Sequence, residues 1–174
     1  MVVLVRADSP WKTLGDLVKA AKAKEGAINY SSSGNFGPIH LSVEMLAHQA
    51  GIKLTQVPFN GGGPSLLALL GGQVEMTTAA PAVALAQIQS GKVRPLATSG
   101  AKRLSMLPDV PTVAESGFAG FQSVGWFGLM APRGTPAAIV TQVKKHSVVQ
   151  LFELFCFALH LANQFFQVHF GLPI

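Results

Sequence analysis

The sequence predicts an α/β fold, a mostly parallel sheet with helices on both faces. Three observations carry that reading. Short apolar runs alternate with stretches whose apolar residues recur at helical spacing. Glycine or proline punctuates nearly every change between them. Apolar residues make up 49% of the 174-residue chain and charged ones 12%, enough apolar material to cover a sheet on both sides.

In chain order, Val2–Val5 is a short β run broken by Asp8-Ser9-Pro10. Thr13 is placed to cap a helix from Leu14 to about Lys24, with Asp16 three residues on as its capping-box partner. Leu14, Leu17, Val18 and Ala21 form that helix's apolar stripe, and Gly26 stops it. A strand over Ala27–Ser31 follows. The helix after it spans Pro38–Ala50, with Ile39, Leu41, Val43, Leu46 and Ala47 as its apolar face and Gly51 at its end. Lys53–Phe59 reads as a strand, Ser65–Leu70 as a short helix, Gln73–Thr78 as a strand, Pro81–Gln89 as a helix and Val93–Ser99 as a strand. Beyond them, Thr112 is expected to cap a short helix containing Glu115. Phe121–Met130 reads as a β run, and Thr135 and Pro136 open a helix that runs to Lys144-Lys145. From His146 the composition changes. Residues 146–174 hold six of the eleven Phe, three of the five His, the sole cysteine, Cys156, and no Lys or Arg. Polar residues interrupt this stretch too often for a membrane span, and it reads either as an amphipathic helix or as an altered C-terminus.

Two strand-to-helix loops look built to hold an anion. The first runs through Ser31, Ser32, Ser33, Gly34, Asn35, Phe36 and Gly37 to Pro38. The second runs through Phe59, Asn60, Gly61, Gly62 and Gly63 to Pro64 and Ser65. The unpaired N–H groups of a helix N-terminus carry partial positive charge and attract a carboxylate or phosphate. Glycine lets the backbone approach a ligand, and serine or asparagine adds side-chain contacts. In a parallel sheet such loops sit at the carboxyl ends of the strands, where ligands bind. Two ordinary turns would use the same residue types, but their pairing in one small domain favours the ligand reading.

Other chemistry is poorly supported. The net charge of +5 comes from scattered Lys and Arg, without the dense run or interleaved aromatics of a nucleic-acid binder. One cysteine allows neither an intrachain disulfide nor a zinc set, and the acidic residues form no metal or acid/base motif. Ser33 near His40 is the one tempting nucleophile–base pair. His40 lies just after the loop, where it can orient the loop, bond a ligand or be satisfied structurally. The Gly61-Gly62-Gly63 run lacks the spaced glycines of a dinucleotide site, and no Gly-Lys-Ser/Thr follows. No signal peptide opens the chain, since Met1–Arg6 is short and lacks a basic start. The reading is a binding protein without catalysis, cofactor or metal.

Longer motifs sharpen it. Leu14-Gly15-Asp16-Leu17, Ile28–Asn35 with His40-Leu41, Val57–Gly62, Leu70–Met76, Gly91–Ala97, Leu107–Gly117 and Trp126–Pro132 occur in this order. Together they resemble the tripartite tricarboxylate transporter substrate-binding proteins, the Bug or TctC-like family, over about residues 2–145. The resemblance implies a periplasmic solute receptor of the type II periplasmic-binding-protein fold, two α/β lobes closing over a small carboxylate. It implies as partners the membrane permease subunits of a tripartite transporter. The chain matches mainly the second lobe, with residues 7–120 as that lobe and the first lobe incomplete. Residues 121–145 are its return hinge strand and the start of a first-lobe helix, and 146–174 an atypical apolar tail. The family's N-terminal half has no counterpart in this sequence. Phe59 stands where the second loop usually has tyrosine, and Ala79 where many relatives place an aspartate, which argues against an amino-acid ligand. The ligand residues implied are Ser31, Ser32, Ser33, Gly34, Asn35, Gly37, His40, Phe59, Asn60, Gly61, Gly62 and Ser65. Two rival classes share the architecture. They are the effector-binding domain of a transcription regulator and a small phosphate-handling Rossmann-like enzyme.

Overall fold

The computed structural model describes residues 1–125 and 131–151. Met1–Gly125 forms one compact unit and Trp126–Ile174 a second. In the first unit the elements are β1 (Val2–Arg6), α1 (Leu14–Ala23), β2 (Asn29–Ser32), α2 (Pro38–Ala50), β3 (Thr55–Pro58), α3 (Gly62–Leu70), β4 (Met76–Ala79), α4 (Pro81–Gln89) and β5 (Val93–Thr98).

The five strands form one sheet in the order β3-β2-β4-β1-β5. β2 pairs in parallel with β3 and β4, and β1 runs antiparallel to both β4 and β5. Four strands therefore share a direction and β1 alone is reversed. The expected mostly parallel sheet is present, with a reversed strand inside it that the sequence pattern does not specify.

β1 explains the two-sided core. Val3 and Val5 pack with the stripe of α1 and with Val43, Leu46, Ala47 and Ala50 of α2. Val2 and Leu4 pack with Leu66 and Leu69 of α3 and Ala84 of α4. Successive strand residues face opposite sides, so an unbroken apolar run marks a strand covered on both. α1 and α2 thus lie on one face, and α3 and α4 on the other. Each fully buried leucine or valine adds about 1.5–3 kcal/mol of burial energy.

Helix boundaries follow the local signals. α2 begins at Pro38 and ends at Gly51, whose φ of 60° is the left-handed cap that glycine adopts at low cost. Two details differ from expectation. Leu41 is exposed, and Ser42 takes the buried position beside Val43. α3 begins at Gly62, three residues before the expected Ser65, so Pro64 lies inside its first turn and does not open it.

Past β5 the chain is less regular than expected. Thr112–Glu115 is a turn that keeps the capping-box bonds without a helix. The Glu115 N–H donates to Thr112 Oγ1 at 3.0 Å, and the Thr112 N–H to Glu115 Oε2 at 2.7 Å. Phe121–Gly125 is not a regular strand, and the rest of the expected β run, 126–130, lies outside the described residues. In the second unit α5 spans Ala137–Leu151, beginning one residue after Pro136. The Thr135 hydroxyl donates back to the Pro132 carbonyl at 2.8 Å. The remainder of the expected tail, 152–174, also lies outside the described residues.

Candidate functional site

The two loops leave the carboxyl ends of adjacent parallel strands, β2 and β3, and therefore share one edge of the sheet. They leave it toward opposite faces, because α2 packs on one side and α3 on the other. Where neighbouring strands send their helices to opposite faces, a crevice opens between the two loops. The loops start zipped together, with the Phe59 N–H donating to the Ser32 carbonyl at 2.9 Å. The first turns of the helices are also close. A Cβ on Gly62 would lie 3.8 Å from Ile39 Cδ1.

Both helices begin without a side-chain cap. Gly37 at the start of α2 and Gly61 at the start of α3 make no capping hydrogen bond of that kind. The first N–H groups of a helix have no intrahelical acceptor, so here they face outward as donors. Gly61 has φ 105° and ψ 172°, a conformation open essentially to glycine alone. Gly34 has φ 106° in the other loop. Both glycines let the backbone turn where any side chain would strain it.

The predicted residues divide by environment. Ser33, Gly34, Gly37, Gly61 and Gly62 are half-buried, and Asn35 and Asn60 are exposed; these seven line the loops. Ser31 and Ser65 are buried beneath them, bonded to one another. Ser31 Oγ donates to the Ser65 carbonyl and Ser65 Oγ to Ser31 Oγ, each at 2.8 Å. Thr77 Oγ1 of β4 lies 3.0 Å from Ser65 Oγ and donates to the Ser31 carbonyl at 3.0 Å. These hydroxyls knit β2, α3 and β4 together below the loops. Ser32 is also buried, its Oγ donating to the Gly34 carbonyl at 3.0 Å and accepting from Gln56 Nε2 at 2.7 Å. Phe59 packs partly against the core on the α3 side. Ser31, Ser32 and Ser65 are thus bonded within the protein, and the more accessible part of the predicted set is mainly glycine.

His40 is placed to shape the first loop. Its Nδ1 accepts from the Phe36 N–H at 2.9 Å, which leaves the ring proton on Nε2. Sequence reasoning missed Thr77, Gln56, Glu44 and Tyr30. The signal available for Glu44 was its position four residues after His40 on one helix.

A family model described as "Tripartite tricarboxylate transporter family receptor" matches residues 1–169. The chain belongs to that family. The match continues past Lys145, where the composition changes. The "UPF0065 protein in gbd 5'region" of Cupriavidus necator is 40% identical over 141 residues, covering 81% of this chain and 42% of the relative. A Rhodopseudomonas palustris protein solved with adipate superposes with a TM-score of 0.78 at 33% identity, covering 83% of this chain and 48% of the other. MatC of the same species, solved with bound malate, gives 0.73 at 35% identity, covering 81% and 48%. The chain spans less than half the length of each of these relatives. The fold is that of one part of a type II periplasmic binding protein.

Proposed function

We propose that this chain is the carboxylate-binding lobe of an extracytoplasmic solute receptor. In that reading the β2–α2 and β3–α3 loops hold a small di- or tricarboxylate by backbone N–H groups. Hydroxyl and amide side chains at Ser33, Asn35 and Asn60 add contacts. The observation that carries it is the placement of two helix N-termini without side-chain caps at the carboxyl ends of adjacent parallel strands. Such termini supply N–H donors and partial positive charge, and neither first turn holds an acidic residue. Similarity to proteins solved with adipate and with malate supports a dicarboxylate of that size. Family membership favours a receptor over a regulator domain or a phosphate-handling enzyme. It also supports a periplasmic setting and delivery to the membrane permease subunits of a tripartite transporter.

Isothermal titration of this chain with adipate, malate and citrate tests this. The expected result is weak binding, because one lobe supplies fewer contacts than two lobes closed on a ligand. Absence of binding to all three acids overturns the reading.

A further inference from the structure

The loop between β2 and α2 contains a conformational cost that its own sequence does not explain. Phe36 has φ 58°, the one positive value among the described non-glycine residues. For a bulky side chain that conformation is strained. Phe36 is 79% exposed, so burial in a core does not offset the strain. Asn35, one residue earlier, would adopt the same conformation more readily.

A chain of side chains leads from the core to this residue. Tyr30 on β2 is fully buried, and its hydroxyl donates to Glu44 Oε1 at 2.6 Å. Burial first, and Glu44 second, push that hydroxyl above its ordinary range, so it remains a donor. The same Glu44 oxygen lies 3.8 Å from His40 Nε2, near the ring but beyond hydrogen-bond distance. His40 Nδ1 then receives the Phe36 N–H. The His40 side chain is only 14% exposed, and its ring centroid lies 6.4 Å from that of Tyr30 and 5.7 Å from that of Phe36.

We propose that Tyr30, Glu44 and His40 are positioning residues, a side-chain relay that fixes the Phe36 backbone and so sets the first loop's shape for carboxylate binding. The inference rests on the carboxylate reading above. His40 acts through the Phe36 amide, not on the ligand. Glu44 sets a carboxylate beside the imidazole one turn along α2, and Tyr30 ties Glu44 to the sheet.

Two substitutions separate an acceptor role from mere bulk. In asparagine the side-chain oxygen stands as far from Cβ as His40 Nδ1, so His40→Asn keeps an acceptor for Phe36. In His40→Gln the polar atoms reach one bond further, toward the Nε2 position. The readouts are hydrogen exchange at the Phe36 amide by NMR and titration with adipate and malate, with thermal melting to follow folding. His40→Gln is expected to speed Phe36 exchange and weaken binding, each about tenfold, and His40→Asn to keep both near wild type. Combining His40→Gln with Phe36→Gly should restore binding, because glycine needs no partner at positive φ. Equal Phe36 exchange in the wild type and both single variants overturns the relay, as does wild-type binding by His40→Gln. If the wild type binds neither acid, the carboxylate reading falls. Exchange alone then decides whether the relay exists.

Discussion

α1 begins in the opposite way to α2 and α3. At α1, Thr13 Oγ1 accepts from the Asp16 N–H at 3.1 Å, and Asp16 Oδ2 accepts from the N–H groups of Thr13 and Lys12 at 2.9 and 3.1 Å. Side chains have used its donors, and a carboxylate already sits against its dipole. α2 and α3 begin on glycine with neither device. α4 also begins without a side-chain cap, at Ala80, so what sets α2 and α3 apart is that they begin on glycine after adjacent parallel strands. Two glycine-started helices side by side forgo roughly a few tenths of a kcal/mol each of capping energy, which is consistent with donors left free for a bound anion.

The contrast breaks most severely at Gly61. Gly61→Asp would give α3 a cap but cannot hold φ 105° without strain. The expected loss is about 1–3 kcal/mol of stability together with carboxylate binding, read by urea unfolding and titration calorimetry. Gly37→Asp is the cleaner conversion, because φ at Gly37 is −76° and suits any residue. Its new Cβ would meet Ser33 Oγ at 3.3 Å, so Ser33 must shift slightly. Stability should stay within a few tenths of a kcal/mol, while binding falls about tenfold or more from donor loss and charge repulsion. A Gly37→Asp protein that binds as well as wild type would refute the role assigned to α2.

Thr13→Ala runs the comparison from the other side. It should cost about 1 kcal/mol in denaturant unfolding and leave carboxylate affinity unchanged. The smallest effect concerns acid. Hydrogen bonds from the Thr13 side chain and from the Thr13 and Lys12 backbones hold the Asp16 carboxyl below its ordinary value near 3.8. The stability it contributes is complete above that value and is lost as pH falls through the lower folded-state value. In Asp16→Asn the urea midpoint should therefore fall less steeply below pH 4. A slope equal to wild type would remove Asp16 from the account.

Local chemistry made much of this legible. Pro38 and Gly51 bound α2, and Thr13 with Asp16 announces α1. The two small-residue loops follow apolar runs, so their shared sheet edge was readable from the alternation alone. Long-range pairing was not. Nothing near Val2–Arg6 says that this strand runs backwards between β4 and β5, because its partners lie some seventy to ninety residues on. The start of α3 was read late because glycine is a poor helix former, yet Gly62 and Gly63 stand in its first turn. The serines illustrate a different gap. Composition marks Ser31, Ser33 and Ser65 alike, yet burial ties Ser31 and Ser65 to Thr77 and leaves Ser33 at the surface.

The reversed strand also governs how the molecule assembles. β5 joins the sheet only through β1, so Val2–Arg6 pair with strands that follow them by some seventy residues or more. Contacts of such sequence separation raise the contact order and slow folding. Removing a half-dozen N-terminal residues would cut the sheet into a three-stranded piece carrying both ligand loops and a stranded β5.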